Sequence, residues 1–114
     1  MRVLVANEPR SYREAFTAAF QALRPHIESI AVEPEDLEQE TIRLRPDLVV
    51  CEHITPALEA RVRYLMEVRV EDEVLVAMSN VPALFTATNL NLADLLSFLD
   101  QCEEMMEQEV SLGR

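Results

Sequence analysis

Apolar residues recur along this chain with two different periods. Val3-Leu4-Val5-Ala6, Leu48-Val49-Val50-Cys51 and Val74-Leu75-Val76-Ala77-Met78 are unbroken apolar runs, the pattern of strands buried on both faces. Ile27-Glu28-Ser29-Ile30-Ala31-Val32 is more polar and fits an edge strand. Between the runs the apolar positions repeat at helical spacing. Tyr12, Phe16, Ala19, Phe20 and Leu23 form one stripe, with Ser11 and Glu14 spaced as a capping box at its start. Arg24-Pro25 ends that helix. A second helix is predicted over residues 33–44, with Leu37, Thr41 and Leu44 inward, and Arg45-Pro46 closes it. Thr55 as N-cap and Pro56 as first residue open a third. It is predicted over residues 56–68, with Leu58, Val62, Leu65 and Met66 buried. Asn91 opens the last helix, to about residue 109, along Leu92, Leu95, Leu96, Leu99, Cys102 and Met106.

One connection breaks the alternation. Only Ser79-Asn80-Val81-Pro82 lies between the third apolar run and Ala83-Leu84-Phe85-Thr86-Ala87-Thr88. A parallel neighbour needs a crossover of about a dozen residues, so residues 83–88 are expected to fold back as an antiparallel hairpin. The order of elements predicts a doubly wound α/β sheet in three layers, α/β/α, mostly parallel with an antiparallel last strand. At 114 residues one domain, 1–114, is expected.

Composition narrows the partners. The net charge is −11, which argues against nucleic acid and anionic membrane as direct partners, since both require clustered positive charge. No apolar stretch is long enough to span a bilayer. The four apolar residues from Val3 to Ala6 are too few for a signal-peptide core, so a cytoplasmic protein is expected. Cys51 and Cys102 are then reduced, buried hydrophobes. The chain has no lysine, and its single glycine is Gly113. Phosphate-cradling loops need glycine for close backbone approach, so the P-loop and the dinucleotide fingerprint are both excluded. Turns must rest on Pro and on Asn7, Asn80, Asn89 and Asn91.

The candidate chemistry lies at the end of the central run. Leu48 to Cys51 is followed at once by Glu52 and His53. Open α/β sheets place ligands at the carboxyl ends of such strands. Asn7 and Glu8 end the first strand in the same way, so Asn7, Glu8 and Glu52 form a candidate acidic pocket, with Arg10, His53 and Ser79 as neighbours. These oxygens could take Mg²⁺ weakly, with water completing the shell. His53 could act as an acid–base group, although a lone histidine in a turn is usually only exposed. No Ser-His-Asp order, Cys-His pair or close-set His/Cys cluster is present, and no catalytic residue is assigned.

Several of these stretches resemble the receiver domain of response regulators. Val3-Leu4-Val5-Ala6-Asn7-Glu8-Pro9 is similar to the first receiver strand and its acidic turn. Arg45-Pro46-Asp47-Leu48-Val49-Val50-Cys51-Glu52, with Thr55-Pro56 after it, is similar to the segment that ends in the phosphoacceptor aspartate. Val74 to Ser79 resembles the fourth receiver strand with its switch Ser/Thr, and Leu90 to Leu96 the start of the last receiver helix. The resemblance covers nearly the whole chain and implies a flavodoxin-like strand order, 2-1-3-4, with the last strand at the edge.

The departures decide what that resemblance implies. Glu52 stands at the phosphoacceptor position, and Asn7 and Glu8 at those of two magnesium-binding acids. The family's lysine has no counterpart, and its fourth helix is missing. If the last strand is antiparallel, its exit points away from the site. Phosphoryl transfer needs an in-line carboxylate, a divalent cation and a fixed cation on the phosphate. Glu52 is one methylene too long, and Arg10 is a poor exchange for lysine. The resemblance therefore implies a pseudo-receiver that is not an enzyme, in which Glu52 is either a constant negative charge in place of phosphoaspartate or a leftover acid hydrogen-bonded to turn amides. It would act by binding a protein partner, or a second copy as a homodimer, through the last hairpin and C-terminal helix. The alternative is a small metal-dependent enzyme or small-ligand sensor using the Glu8, Glu52 and His53 crevice.

Overall fold

The structure, a computed structural model, describes residues 1–69, 74–79, 84–88 and 92–112. Its centre is two strands with no exposed side. In β1 (Arg2–Ala6), Val3, Leu4 and Val5 are fully buried and Ala6 nearly so. Leu48, Val49, Val50 and Cys51 of β3 (Leu48–Cys51) are all buried. The two run parallel, with Val3 beside Leu48 and Ala6 beside Cys51. β2 (Glu28–Ala31) lies parallel on the outer side of β1 and keeps Glu28 and Ala31 exposed, as the mixed sequence of an edge strand requires.

Helices cover both faces. α1 (Arg10–Leu23) and α4 (Leu92–Leu112) pack on one face, where Phe16, Phe20, Leu95, Phe98, Leu99 and Cys102 meet Val3, Val5, Leu48 and Val50. On the other face lie α2 (Leu37–Leu44), preceded by a 3-10 turn over Pro34–Asp36, and α3 (Pro56–Arg61). There Leu37, Leu58 and Val62 meet Leu4, Ala6, Val49 and Cys51. The α/β layering follows the sequence pattern.

The third helix does not follow it. α3 stops at Arg61, and Tyr64–Arg69 is a strand, β4, parallel to β3 with Leu48 beside Tyr64. Leu65 and Met66 fitted a helical stripe, yet they lie on opposite faces of the sheet. A short apolar run does not distinguish the two periods when both faces are buried. This strand takes the place next to β3 that the receiver resemblance implied for residues 74–79. It moves β5 (Val74–Ser79) one position outward, antiparallel to β4. β6 (Leu84–Thr88) then pairs antiparallel with β5, Met78 beside Leu84, as the hairpin expectation required. The sheet order is β2-β1-β3-β4-β5-β6, four parallel strands followed by a hairpin.

The extra strand overturns two further expectations. Ser79 pairs with Tyr64, at the amino end of β4, so it lies at the opposite edge of the sheet from Glu52. β6 runs in the same direction as β4, with Thr88 beside Val74 and Val74 beside Arg69. Its exit is therefore at the carboxyl edge of the sheet, not away from it.

Helix ends also differ from expectation. Pro9 caps α1, and its carbonyl accepts from the N–H groups of Tyr12 at 3.0 Å and Arg13 at 3.3 Å. Ser11 is thus inside the first turn, and Glu14 pairs with Arg10 at 2.7 Å instead of closing a capping box. The inward face of α1 is Arg13, Phe16, Thr17 and Phe20, while Tyr12 and Leu23, in the first and last turns, are exposed. Thr55 caps α3 as predicted, its hydroxyl accepting from Leu58 N–H at 3.3 Å. In α4 the buried positions are Leu95, Phe98, Leu99 and Cys102, whereas Leu92 is exposed. Met105 and Met106 pack against that core. The helix runs to Leu112. The expected turn residues Asn80, Asn89 and Asn91 lie outside the described residues.

Candidate functional site

The carboxyl edge of the parallel strands forms a cleft of about 500 Å³. Its floor is Ala6, Cys51, Leu37 and Leu58, and its walls are Glu8, Glu35, Glu38, Gln39, Glu52, His53 and Thr55. Each carboxylate arrives for a topological reason. Glu8 follows β1, Glu35 and Glu38 open the α2 layer after β2, and Glu52 follows β3. The chain leaves β1 toward one face and β3 toward the other, so this is the switch point where a doubly wound sheet opens a crevice.

Three of the expected residues, Glu8, Glu52 and His53, meet here. Glu52 is half-buried, and His53 Nε2 stands 4.0 Å from its Oε1 with the imidazole largely exposed. The other three do not line the cleft. Asn7 is fully buried, and its Nδ2 donates to the Val68 carbonyl at 3.0 Å, which ties the end of β1 to β4 across β3. Among the described residues its Oδ1 has no hydrogen-bond partner. Arg10 is held by Glu14, and Ser79 is at the other edge.

The cleft is electrostatically one-sided. Among the described residues four carboxylates and no arginine line it. Two arginines of this edge are engaged: Arg13, itself buried, pairs with Glu33 at 3.3 Å, and Arg69 pairs with Glu67 at 2.8 Å. A phosphoryl group entering would meet like charge with no fixed cation to offset it. A cationic group would be attracted. Among the described residues no three His, Cys, Asp or Glu side chains converge as metal ligands would. Cys51 adds no nucleophile. Burial foremost, then the charge of Glu67, pushes its thiol up to about 12, and its Sγ donates to the His53 carbonyl at 3.4 Å.

Two residues that organise this edge escaped the sequence reading. Glu67 Oε1 accepts from the Ile54 N–H at 3.1 Å, which fixes the connection between β3 and α3. It sat in the segment read as helix, where its partner could not be foreseen. Arg13 reaches the Asn7 carbonyl at 3.5 Å and so joins α1 to the end of β1. An arginine beside two aromatic positions gave no signal of burial. Glu35 and Glu38 were visible only as a solvated acidic helix start.

Among the described residues no helix is long and apolar enough to cross a membrane. No protein-family model, curated protein or solved structure matches this chain.

Proposed function

We propose that this chain is a receiver-like signalling domain that takes no phosphoryl group and works by binding protein. The observation that carries this reading is Glu52 itself. It directly follows β3 in a 2-1-3-4 run of parallel strands, the phosphoacceptor position of the receiver resemblance. Yet it stands among carboxylates, with Arg10, Arg13 and Arg69 each bound to another acid. In this reading a carboxylate stands where the acyl phosphate would form, and among the described residues no arginine lines the cleft to hold a phosphoryl group.

The binding surface in this reading is the β5–β6 hairpin with α4. β4, β5 and β6 follow one another through connections of four residues, and among the described residues the helix that follows them, α4, packs on the α1 face. Among the described residues no helix that follows β4 lies on the α2/α3 side of the hairpin, and a partner or a second copy would cover that side. Two buried free thiols suit a reducing, cytoplasmic setting.

The test has two parts. Incubation with acetyl phosphate and Mg²⁺ should leave the intact mass unchanged, and light scattering across a concentration series should show dimer. A phosphoryl adduct on Glu52 overturns the first half, and a monomer at the highest concentration removes the homodimer. The cleft favours one second reading, a small-ligand sensor that takes a cationic molecule. A rise in melting temperature with Mg²⁺ or spermidine that disappears in Glu52→Gln would favour it.

A further inference from the structure

At the other end of the α2/α3 layer a second cleft, of about 400 Å³, is lined by Thr41, Ile42, Arg45, Pro46 and Arg61. We propose that it is a docking groove for an acidic peptide segment of a partner protein, one that carries aliphatic side chains between its carboxylates. This inference stands apart from the pseudo-receiver reading and uses a different surface.

The first observation is charge. Arg2, Arg10, Arg13, Arg24, Arg43 and Arg69 each pair with a carboxylate. Among the described residues Arg45 and Arg61 make no ion pair, and both line this cleft. In a chain with 21 acids and 10 arginines, unpaired arginines are a minority, and here they share one groove. The adjacent acid, Asp47, makes no ion pair with either of them, and its Oδ2 accepts from the backbone N–H of Arg2 at 2.8 Å. The overall charge of −11 is screened beyond about 8 Å at physiological salt, so the local guanidinium groups decide what enters.

The second observation is the backbone under Arg45. Its φ of 47° is left-handed, and its N–H closes α2 onto the Thr41 carbonyl at 3.1 Å. Glycine or asparagine suits that position best. A β-carbon there is tolerated at a cost, and a cost retained at a surface position points to use of the side chain. The third observation is apolar. Ile42 is 55% exposed at the same groove, which a free phosphate or a nucleic-acid backbone would leave unused. Guanidinium groups bind carboxylates bidentately, and an aliphatic residue between two acids would cover Ile42.

The rival explanation is that both arginines only offset the carboxyl ends of α2 and α3, where they sit. The experiment separates the two. A peptide in which leucine alternates with paired glutamates is titrated into the full chain and followed by amide chemical-shift mapping. A counterpart with lysine for glutamate serves as control. Shifts confined to Thr41, Ile42, Arg45 and Arg61, absent with the lysine peptide, are expected. Affinity should fall about tenfold or more in Arg45→Gly and in Arg61→Gln, and in Ile42→Ser by less. Arg45→Gly should melt no lower than the wild type, so its loss of binding cannot be a loss of folding. No shifts, shifts elsewhere, equal affinity in the variants, or displacement of the peptide by equimolar inorganic phosphate would each overturn the proposal.

Discussion

The two helical layers do different work. On the α1/α4 face the helices are 14 and 21 residues long, and aromatic side chains fill the space over β1, β3 and β4. Surface pairs bind them together: Arg24, at the end of α1, meets Asp100 of α4 at 2.7 Å, and His26 lies 3.0 Å from Glu103. On the α2/α3 face the helices have 8 and 6 residues. Their core is aliphatic, and a cleft opens at either end. The first layer holds the longer helices and the aromatic core. The second is thinner and leaves a cleft at each end, with acids at one and Arg45 and Arg61 at the other. Regions with few buried contacts open first, so the difference should be measurable.

The largest effect is expected in the thick layer. Phe20 is fully buried in the middle of it, and Phe20→Ala should cost about 3–5 kcal/mol in urea unfolding. Leu58 anchors α3 and is almost as buried, but a six-residue helix can settle into the space, so Leu58→Ala should cost about 2 kcal/mol, the low end for such a change. Hydrogen exchange should show the same order, with α3 amides exchanging faster than those of α1 and α4. Equal protection of the two layers would remove the contrast.

The two cysteines test the layers from within. Cys51 lies under α2/α3 and Cys102 under α1/α4, and burial pushes both thiols up to about 12 from 9.0. The raised value favours the protonated thiol in the folded state. Its stabilisation is complete below pH 9 and is lost as pH rises toward 12. Each thiol should remove about 1.4 kcal/mol of stability per pH unit above 9. Cys102→Ala and Cys51→Ala should each flatten that alkaline slope. In the native protein at pH 8 a disulfide reagent should modify Cys51 before Cys102, because the thinner layer opens more often.

What was legible in the sequence follows the same division. β1 and β3 announced themselves because both faces are covered, and an unbroken apolar run has few other uses. Thr55-Pro56 marked the start of α3 through cap chemistry. The end of α3 was not legible. Leu58, Val62, Leu65 and Met66 satisfy a helical period, and only the sheet, through pairing of Leu48 with Tyr64, decides that residues 64–69 extend. That one error misplaced Ser79 and the exit of β6, since both depend on the number of strands before them. At the site, Glu8, Glu52 and His53 were readable from strand ends. Asn7 was placed at the right strand end but given the wrong role, because its neighbour is the carbonyl of Val68, contributed by the strand that went unrecognised.

Glu67 offers a smaller and sharper test. It holds the connection between β3 and α3 through a single acceptor bond to Ile54 N–H. In Glu67→Ala a partly buried donor loses its partner, which costs about 1–3 kcal/mol, and the Ile54 amide should lose protection while α1 and α4 keep theirs. Glu67→Gln retains an acceptor oxygen and should recover most of the loss. A uniform loss of protection in both layers would mean that they unfold as one unit.

The smallest effect belongs to the pair that closes the thick layer. Arg24 grips Asp100 with two hydrogen bonds, Nε to Oδ1 at 2.7 Å and Nη2 to Oδ2 at 2.8 Å. This holds the Asp100 carboxyl below its ordinary 3.8. A carboxylate with a depressed folded value stabilises above the unfolded pKa, and that contribution is lost as pH falls through the folded one. Both groups are solvated, so the gain is modest and salt weakens it. Asp100→Asn should therefore lower the melting temperature slightly at pH 7. The difference from wild type should shrink below about pH 4 and in molar salt. Hydrogen exchange in α3 should be unaffected, because this contact belongs to the other face. If α3 exchange rises with it, the two layers are coupled through the sheet, and ligands on the thin face would then be felt on the thick one.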